Sequence, residues 1–345
     1  MKSTRFKSDV SVKVSIVVSI YNTAPYLVRC LESIARQTLD SYEVLLVNDG
    51  STDASEEICN HFIAGKKRYR LINKENGGLS SARLRGWEEA VGDYIVFVDS
   101  DDFLEPAYCE KLYNACVQYD CPLAICAYQV VGGTSLQIHK LPFREPALTD
   151  VKQKYVKSLL AYSSRDQIPA FLWMRMMKRE YITPDCFIHE NRVFTEDLIF
   201  DLQYARSIEK IAVVNEPLYN YVLNDGSLTR KHRKGLWEMY KNLYEWCRRY
   251  CREESIWDCD RNLKALLMGG VLHCVQQASR LDYSSFRVDY NVVCQDEIAK
   301  HALYSIRFLS SEFKALRINY KILYCLMRWT MPWLVYRFYH WRQNR

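Results

Sequence analysis

Near-continuous apolar, β-branched runs, each followed by helical periodicity, constrain this chain more than any other feature. VKVSIVVSI from Val12, YEVLLVNDG from Tyr42 and DYIVFVDSDD from Asp93 carry few polar interruptions. A strand with one wet face alternates apolar and polar residues. A strand this uniform is buried on both faces and belongs to a parallel sheet with helices packed outside it. Between the first two runs, PYLVRCLESIARQ places Leu27, Leu31 and Ile34 on one helical face. Further helices are expected from Ala54 to Phe62, from about Ser80 to Val91 and after Pro106, and further strands at RYRLIN and LAICAYQVV. The expected fold class is α/β, with a Rossmann-like, mostly parallel central sheet and flanking helices.

Beyond Val131 the rhythm changes. GGT and LPFREPALTD read as loop, a helix is expected near Val151 to Tyr162, and a mixed region runs to about Arg230. From Leu236 the pattern is helical, with Trp237, Tyr240, Leu243, Tyr244 and Cys247 at helical spacing. The expected division is an α/β domain over 1–235, itself split into halves at 12–130 and 131–235, and a helical C-terminal region over 236–345.

The chemistry concentrates where strands end. Asp99, Asp101 and Asp102 follow directly on an apolar run. Two carboxylates about 5 Å apart at an effective dielectric of about 20 repel by roughly 3 kcal/mol, so a positive partner is expected among them. Asp49 stands at the end of the second run, and in a parallel sheet both ends face one rim, where ligands of open α/β sheets bind. A divalent metal fits: Mg²⁺ is held by one or two carboxylates plus substrate phosphates, and Mn²⁺ takes the same oxygen ligands. Read locally, Asp53 and Asp102 also suit helix starts, Asp53 as an N-cap. NKENGGLSSARLRG leads paired glycines into a helix N-terminus, a natural place for an anion, with Arg83 and Arg85 one turn in.

Net charge separates the ends of the chain. From His301 to Arg345 there are eight Lys or Arg against one acid, Glu312, whereas the whole chain is only +6. A local basic tail is not a surface built to coat nucleic acid. The tail segment INYKILYCLMRWTMPWLVYRFYHWRQNR interleaves Tyr, Trp and Phe with Arg. It is too interrupted by charge to span a bilayer. Two readings fit it: aromatics packed on the preceding helices, or aromatics lying in an anionic membrane interface. Thirteen cysteines with no Cys-x-x-Cys pair suggest reduced thiols in the cytoplasm rather than a disulfide framework or zinc site. MKSTRFKSDV has no apolar stretch of the signal-peptide kind, so the expected location is cytoplasmic, at the inner face of the cell membrane if the tail binds there.

VSIVVSIYNTAPYLVRCLESIARQT, EVLLVNDGSTD, NGGLSSARLRG and GDYIVFVDSDD, in this order and spacing, resemble the nucleotide-sugar half of family 2 glycosyltransferases with the GT-A fold. The resemblance implies that Ser19 and Tyr21 frame the nucleotide base, that Asp49 accepts from it, typically from uracil, and that Arg83 lies in the sugar-nucleotide cleft. It implies a D-x-D motif in Asp99 and Asp101, with Asp101 on the metal and Asp99 toward the ribose, sugar or metal. Leu84 departs from the family pattern, which often has asparagine there. FLWMRMMKREYI and RVFTEDLIF resemble two later motifs of the family, with Arg175 in place of the usual lysine. By that resemblance Asp197, of the pair Glu196-Asp197, matches the general base. YNYVLNDGSLTRKHR resembles the segment that closes over the diphosphate, with Val222 where an arginine often stands and Arg230, Lys231 or His232 left to supply charge.

The function these motifs imply is an inverting, metal-dependent transfer of a sugar from a nucleotide diphosphate, a UDP-sugar by the resemblance, to a hydroxyl of a glycan or lipid-linked acceptor in bacterial surface polysaccharide assembly. The alternative is a nucleotide-sugar-binding module without turnover. An aspartyl phosphatase also carries D-x-D at a strand end, but on its first strand and followed by Thr or Val; here Asp102-Phe103 follow, on the fourth.

Overall fold

The computed structural model describes residues 12–132, 136–161, 167–187, 195–224, 233–305, 313–314 and 318–343. The described residues separate into two compact units, one running to Val151 and resuming over Ala170–Leu223, the other comprising Lys152–Pro169 and the chain from Asn224.

In the first unit β1 (Val14–Ile20) is buried along its whole length, as its uniform apolar sequence requires. It pairs in parallel with β2 (Tyr42–Asp49) on one side and with β4 (Tyr94–Asp99) on the other, while β3 (Tyr69–Lys74) extends the sheet beyond β2. The connections are α1 (Ala24–Ala35), α2 (Ser55–Ile63) and α3 (Leu79–Glu89). After β4 come β5 (Phe103–Leu104), α4 (Tyr108–Tyr119), β6 (Leu123–Val131), β7 (Gln137–His139) and β8 (Ala147–Leu148). The chain then enters a π-helical turn, Val151–Val156, that continues as α5 (Lys157–Leu160), and returns to the sheet at β9 (Arg175–Lys178), α6 (Glu196–Ala205) and β10 (Ile211–Val222). The strand order is β3-β2-β1-β4-β9-β6-β10-β5, with β7 beside β6 and β8 beside β10.

The sheet is mixed. β9 is antiparallel to both β4 and β6, and joins the all-parallel half to the β6–β10 pair, which is again parallel. Register sets the rim: Ser19 lies opposite Val47 on one side and Asp99 on the other. Asp49 and Asp99 therefore end strands that flank β1, two inter-strand spacings or about 10 Å apart. Gly86 lets α3 lie close to β1, because a Cβ there would stand 2.2 Å from Val17 Cγ1.

Two local expectations change. Ala54, not Asp53, is the N-cap residue of α2; Asp53 precedes it and accepts from Ser55 N–H at 3.0 Å and from Ala24 N–H at 3.0 Å, holding the starts of α1 and α2 together. Asp102 caps no helix: α4 begins only at Tyr108, and the Asp102 side chain is buried.

The second unit contains, after α5, the helices α7 (Leu236–Glu253), α8 (Asp260–Ala278), α9 (Tyr283–Gln295), α10 (Glu297–Ser305), α11 (Ile318–Arg328) and α12 (Pro332–Gln343) among its described residues. α8 is buried almost all round, and its Gly270 admits the Tyr240 ring of α7. Tyr240 Oη lies 2.7 Å from Nδ1 of His273, whose imidazole burial pushes down to about 4, aided by the positive charges of Arg280 and Arg233. Asp282 caps α9, accepting from Ser284 and Ser285 N–H.

The tail aromatics divide by type. Tyr324, Tyr336 and Tyr339 donate to the carbonyls of Leu303, Leu281 and Leu272, so tyrosines fasten α11 and α12 to the bundle. Trp329, Met331, Trp333 and Leu334, at the turn between those helices, are 59, 39, 54 and 39% exposed. Among the described residues no helix is long and apolar enough to cross a membrane.

Candidate active site

At the rim, Asp49 is almost fully buried and its carboxylate is saturated by the neighbouring loop. Oδ1 accepts from Lys74 Nζ at 2.5 Å and Gly77 N–H at 2.9 Å, and Oδ2 from Gly78 N–H at 2.8 Å. The paired glycines, read from sequence as a place for an anion, thus point their N–H groups at a carboxylate of the protein itself. Ser19 is buried with no partner for Oγ, and Tyr21, just past β1, is half exposed.

Asp99, Arg83 and Asp197 meet at the end of β4. Arg83, on α3 and 2% exposed, donates from Nη1 to Asp197 Oδ1 at 2.5 Å and from Nη2 to Asp99 Oδ1 at 3.1 Å. Burial works against this guanidinium, but Asp197, then Asp99 and Glu196, outweigh it and keep it charged. A planar fork suits two carboxylates at once in a way that an ammonium does not. Asp99 keeps a quarter of its side chain open to solvent, yet burial of the rest pushes its carboxyl up to about 6. Arg83 opposes that shift, and the negative charges of Asp101 and Asp197 add to it. The positive partner anticipated for the acidic cluster is in part this arginine.

Asp101 sits at the turn after β4, where its carbonyl accepts from Arg29 Nη2 at 3.2 Å. Asp102 turns inward: Oδ2 accepts from Tyr219 Oη at 2.9 Å and Oδ1 from Val222 N–H at 2.7 Å. Tyr219 Oη accepts in turn from Asp99 N–H at 3.3 Å, so the D-x-D turn is tied to the end of β10. Burial first, then Asp101 and Asp99, raise the Asp102 carboxyl well above the usual range.

Asp197 stands in the first turn of α6, 21% exposed, with Oδ2 accepting from Leu172 N–H at 3.3 Å. Glu196, beside it, adds negative charge at Arg83. α6 is held by a buried ion pair four residues on, Arg175 Nη2 to Asp201 Oδ2 at 2.7 Å, with both side chains 2% exposed or less. Sequence reasoning noted Arg175 as a departure and missed its partner. The signal was Asp201, an acid on the same face of the helix as Asp197. The contact of Tyr219 with Asp102 had no local signal. Arg230, Lys231 and His232 lie outside the described residues.

Among the described residues no three His, Cys, Asp or Glu side chains are grouped to hold a metal. A cation shared with a diphosphate needs only one or two protein carboxylates. Asp99 and Asp101 fit that requirement: the charge of Asp101 raises the proton affinity of Asp99, and Asp99 stands with Asp197 against the buried guanidinium of Arg83.

A mixed α/β sheet with Asp49, a D-x-D turn and a helix-borne carboxylate gathered on one rim defines a GT-A-type glycosyltransferase. Residues 15–182 match the family model described as glycosyl transferase family 2. EpsH of Bacillus subtilis (strain 168) is 32% identical over 235 residues, covering 67% of each chain. The glycosyltransferase GlyG of Streptococcus pneumoniae serotype 4 is 33% identical over 224 residues, covering 63% of this chain and 73% of its own. The chain belongs to family 2 of the glycosyltransferases and is an enzyme of that class. The crystal structure of residues 1–349 of TarS from S. aureus, in complex with UDP-GlcNAc, shares the fold with a TM-score of 0.62 at 16% identity, covering 96% of this chain and 92% of that one.

Proposed function

We propose that this enzyme moves a sugar from a UDP-sugar to a hydroxyl of a glycan or lipid-linked acceptor, with inversion, in bacterial surface polysaccharide assembly. The observation that carries the reading is the Arg83 clamp, which fixes Asp197 beside Asp99 at the rim. In this reading Asp197 removes the acceptor proton as the hydroxyl attacks the anomeric carbon from the face opposite the diphosphate. Arg83 holds that carboxylate in place, and Glu196 adds negative charge behind it. Ser19, Tyr21 and Asp49 take the nucleotide end, with the Asp49 loop giving up one of its internal bonds to receive the base. Asp101 and Asp99 would hold Mn²⁺ or Mg²⁺, which when bound supplies Lewis-acid stabilisation to the leaving diphosphate.

Calorimetric titration of a UDP-sugar panel, first with Mn²⁺ and then with chelator, tests the donor assignment. One donor should bind with metal and lose at least tenfold in affinity without it, a difference of about 1.4 kcal/mol. Silence from every UDP-sugar alongside binding of a GDP- or dTDP-sugar would overturn the uracil assignment. Binding with no transfer to any acceptor would return the binding-module reading.

The acceptor's setting follows from the tail. The exposed Trp329, Met331, Trp333 and Leu334 tip, with Arg337 stacked 5.4 Å from the Trp333 ring, suits the interface of an anionic membrane at its cytoplasmic face. The protein should float with phosphatidylglycerol vesicles, and Trp329→Ala/Trp333→Ala should stay at the bottom of the gradient. Equal flotation of both proteins would remove the tip from membrane binding.

A further inference from the structure

Phe171 is 38% exposed, yet its ring packs against buried aromatic neighbours. It stacks on Trp173 at 4.8 Å with 16° between planes, and Trp173, itself 2% exposed, stacks on buried Tyr219 at 4.1 Å and 16°. The ring of Tyr128 stands nearly perpendicular to that of Phe171, with centroids 6.0 Å apart. Trp173 covers one face of the ring, which leaves the opposite face for the exposed area. Tyr221 also lies parallel to Trp173, at 6.0 Å and 11°, and Phe171 is the exposed ring of this aromatic group.

The backbone of Phe171 is tied to the helix that carries Asp197. Its carbonyl accepts from Arg175, which is paired with Asp201 of α6, and from Met174 N–H at 3.2 Å. The next residue, Leu172, donates its N–H to Asp197 Oδ2. The peptide that joins Phe171 to Leu172 therefore supplies the N–H that Asp197 accepts, so the two residues are tethered through one hydrogen bond. Both ends of this arrangement belong to the same compact unit.

We infer that the open face of Phe171 is the platform on which the acceptor's terminal sugar ring stacks while its hydroxyl is presented to Asp197. A pyranose has one face made largely of axial C–H groups, which meet the negative face of an aromatic ring, while its rim of hydroxyls stays free to hydrogen-bond. Phe171 is an exposed aromatic ring on the residue next to the N–H that Asp197 accepts, so a sugar stacked on it is placed to offer a hydroxyl to the base. Other ligand pockets use the same division, a flat apolar wall for binding and a few polar groups for orientation. This rests on Asp197 as the general base and adds the recognition of a cyclic, stackable acceptor over a simple alcohol.

The test is ligand-observed saturation-transfer NMR with methyl glycosides of glucose, galactose, N-acetylglucosamine, N-acetylgalactosamine and rhamnose, in the presence of UDP. Wild type should bind at least one of them. Phe171→Ala and Phe171→Leu should each weaken it about tenfold, Leu included because it keeps apolar bulk and loses the flat face, whereas Phe171→Tyr should retain it. Equal binding by wild type and Phe171→Leu, or no binding of any glycoside by wild type, would overturn the platform. A transfer assay on Asp197→Asn, set beside glycoside binding by Phe171→Leu, separates the two ideas. If Asp197→Asn transfers normally while Phe171→Leu still loses the glycoside, the base assignment fails and the platform stands.

Discussion

Replacing Asp197 by asparagine is expected to slow sugar transfer by about three orders of magnitude, within the range a positioned general base contributes. Donor affinity should change by less than about threefold, well under the tenfold that 1.4 kcal/mol represents. The contrast follows from the geometry. An amide keeps one oxygen for Arg83 and gives up only the 3.3 Å bond from Leu172 N–H. The fold and the clamp persist, and what disappears is the capacity to take a proton. Single-turnover transfer alongside calorimetric donor binding reads both quantities. Transfer within tenfold of wild type would take Asp197 out of the chemistry, and a parallel collapse of donor binding would make it a structural residue of the cleft.

Arg83→Met should produce the second large effect, on stability and activity together. Removing one member of a buried charge cluster leaves the others uncompensated, which costs roughly 3–5 kcal/mol for fully buried pairs. Asp99 and Asp197 keep 25 and 21% of their side chains open to water, so the expected loss is at the lower end, about 3 kcal/mol. Urea denaturation measures it. Adding Asp99→Asn to the Met variant should recover part of the loss, because the repulsion left behind is then relieved. Arg83→Lys should fall between, since an ammonium satisfies one carboxylate and not both in the observed geometry. A Met variant as stable as wild type would mean that the two acids, not the arginine, define the site's electrostatics.

Much of this was legible in the sequence because strand burial is written locally. β1, β2 and β4 are largely apolar with few polar interruptions, so their existence, their parallel pairing and the rim that collects Asp49 and Asp99 could be read without coordinates. The short strands β5, β7, β8 and β9 are two to four residues long and carry no period to read. Their pairing is decided by tertiary partners. The same distinction separates the site residues. Asp99 and Asp101 announce themselves as like charges in sequence, whereas the burial of Asp102 depends on Tyr219, 117 positions away. Asp53 shows a third case: its type suited a helix cap, and it instead ties two helix starts together.

The clamp joins residues 114 positions apart. Contacts of such separation form late, after loop closure has been compensated by nearer pairings. As the chain leaves the ribosome, the four parallel strands and α3 are complete well before α6 exists, and Arg83 then has only Asp99 to neutralise its charge. The donor-side half can settle early, but its electrostatic balance waits for the helix that brings the third charge. Completion of the rim is thereby linked to synthesis of the chain through α6, and a product truncated before Glu196 lacks both the proposed proton acceptor and the counter-charge that completes the rim.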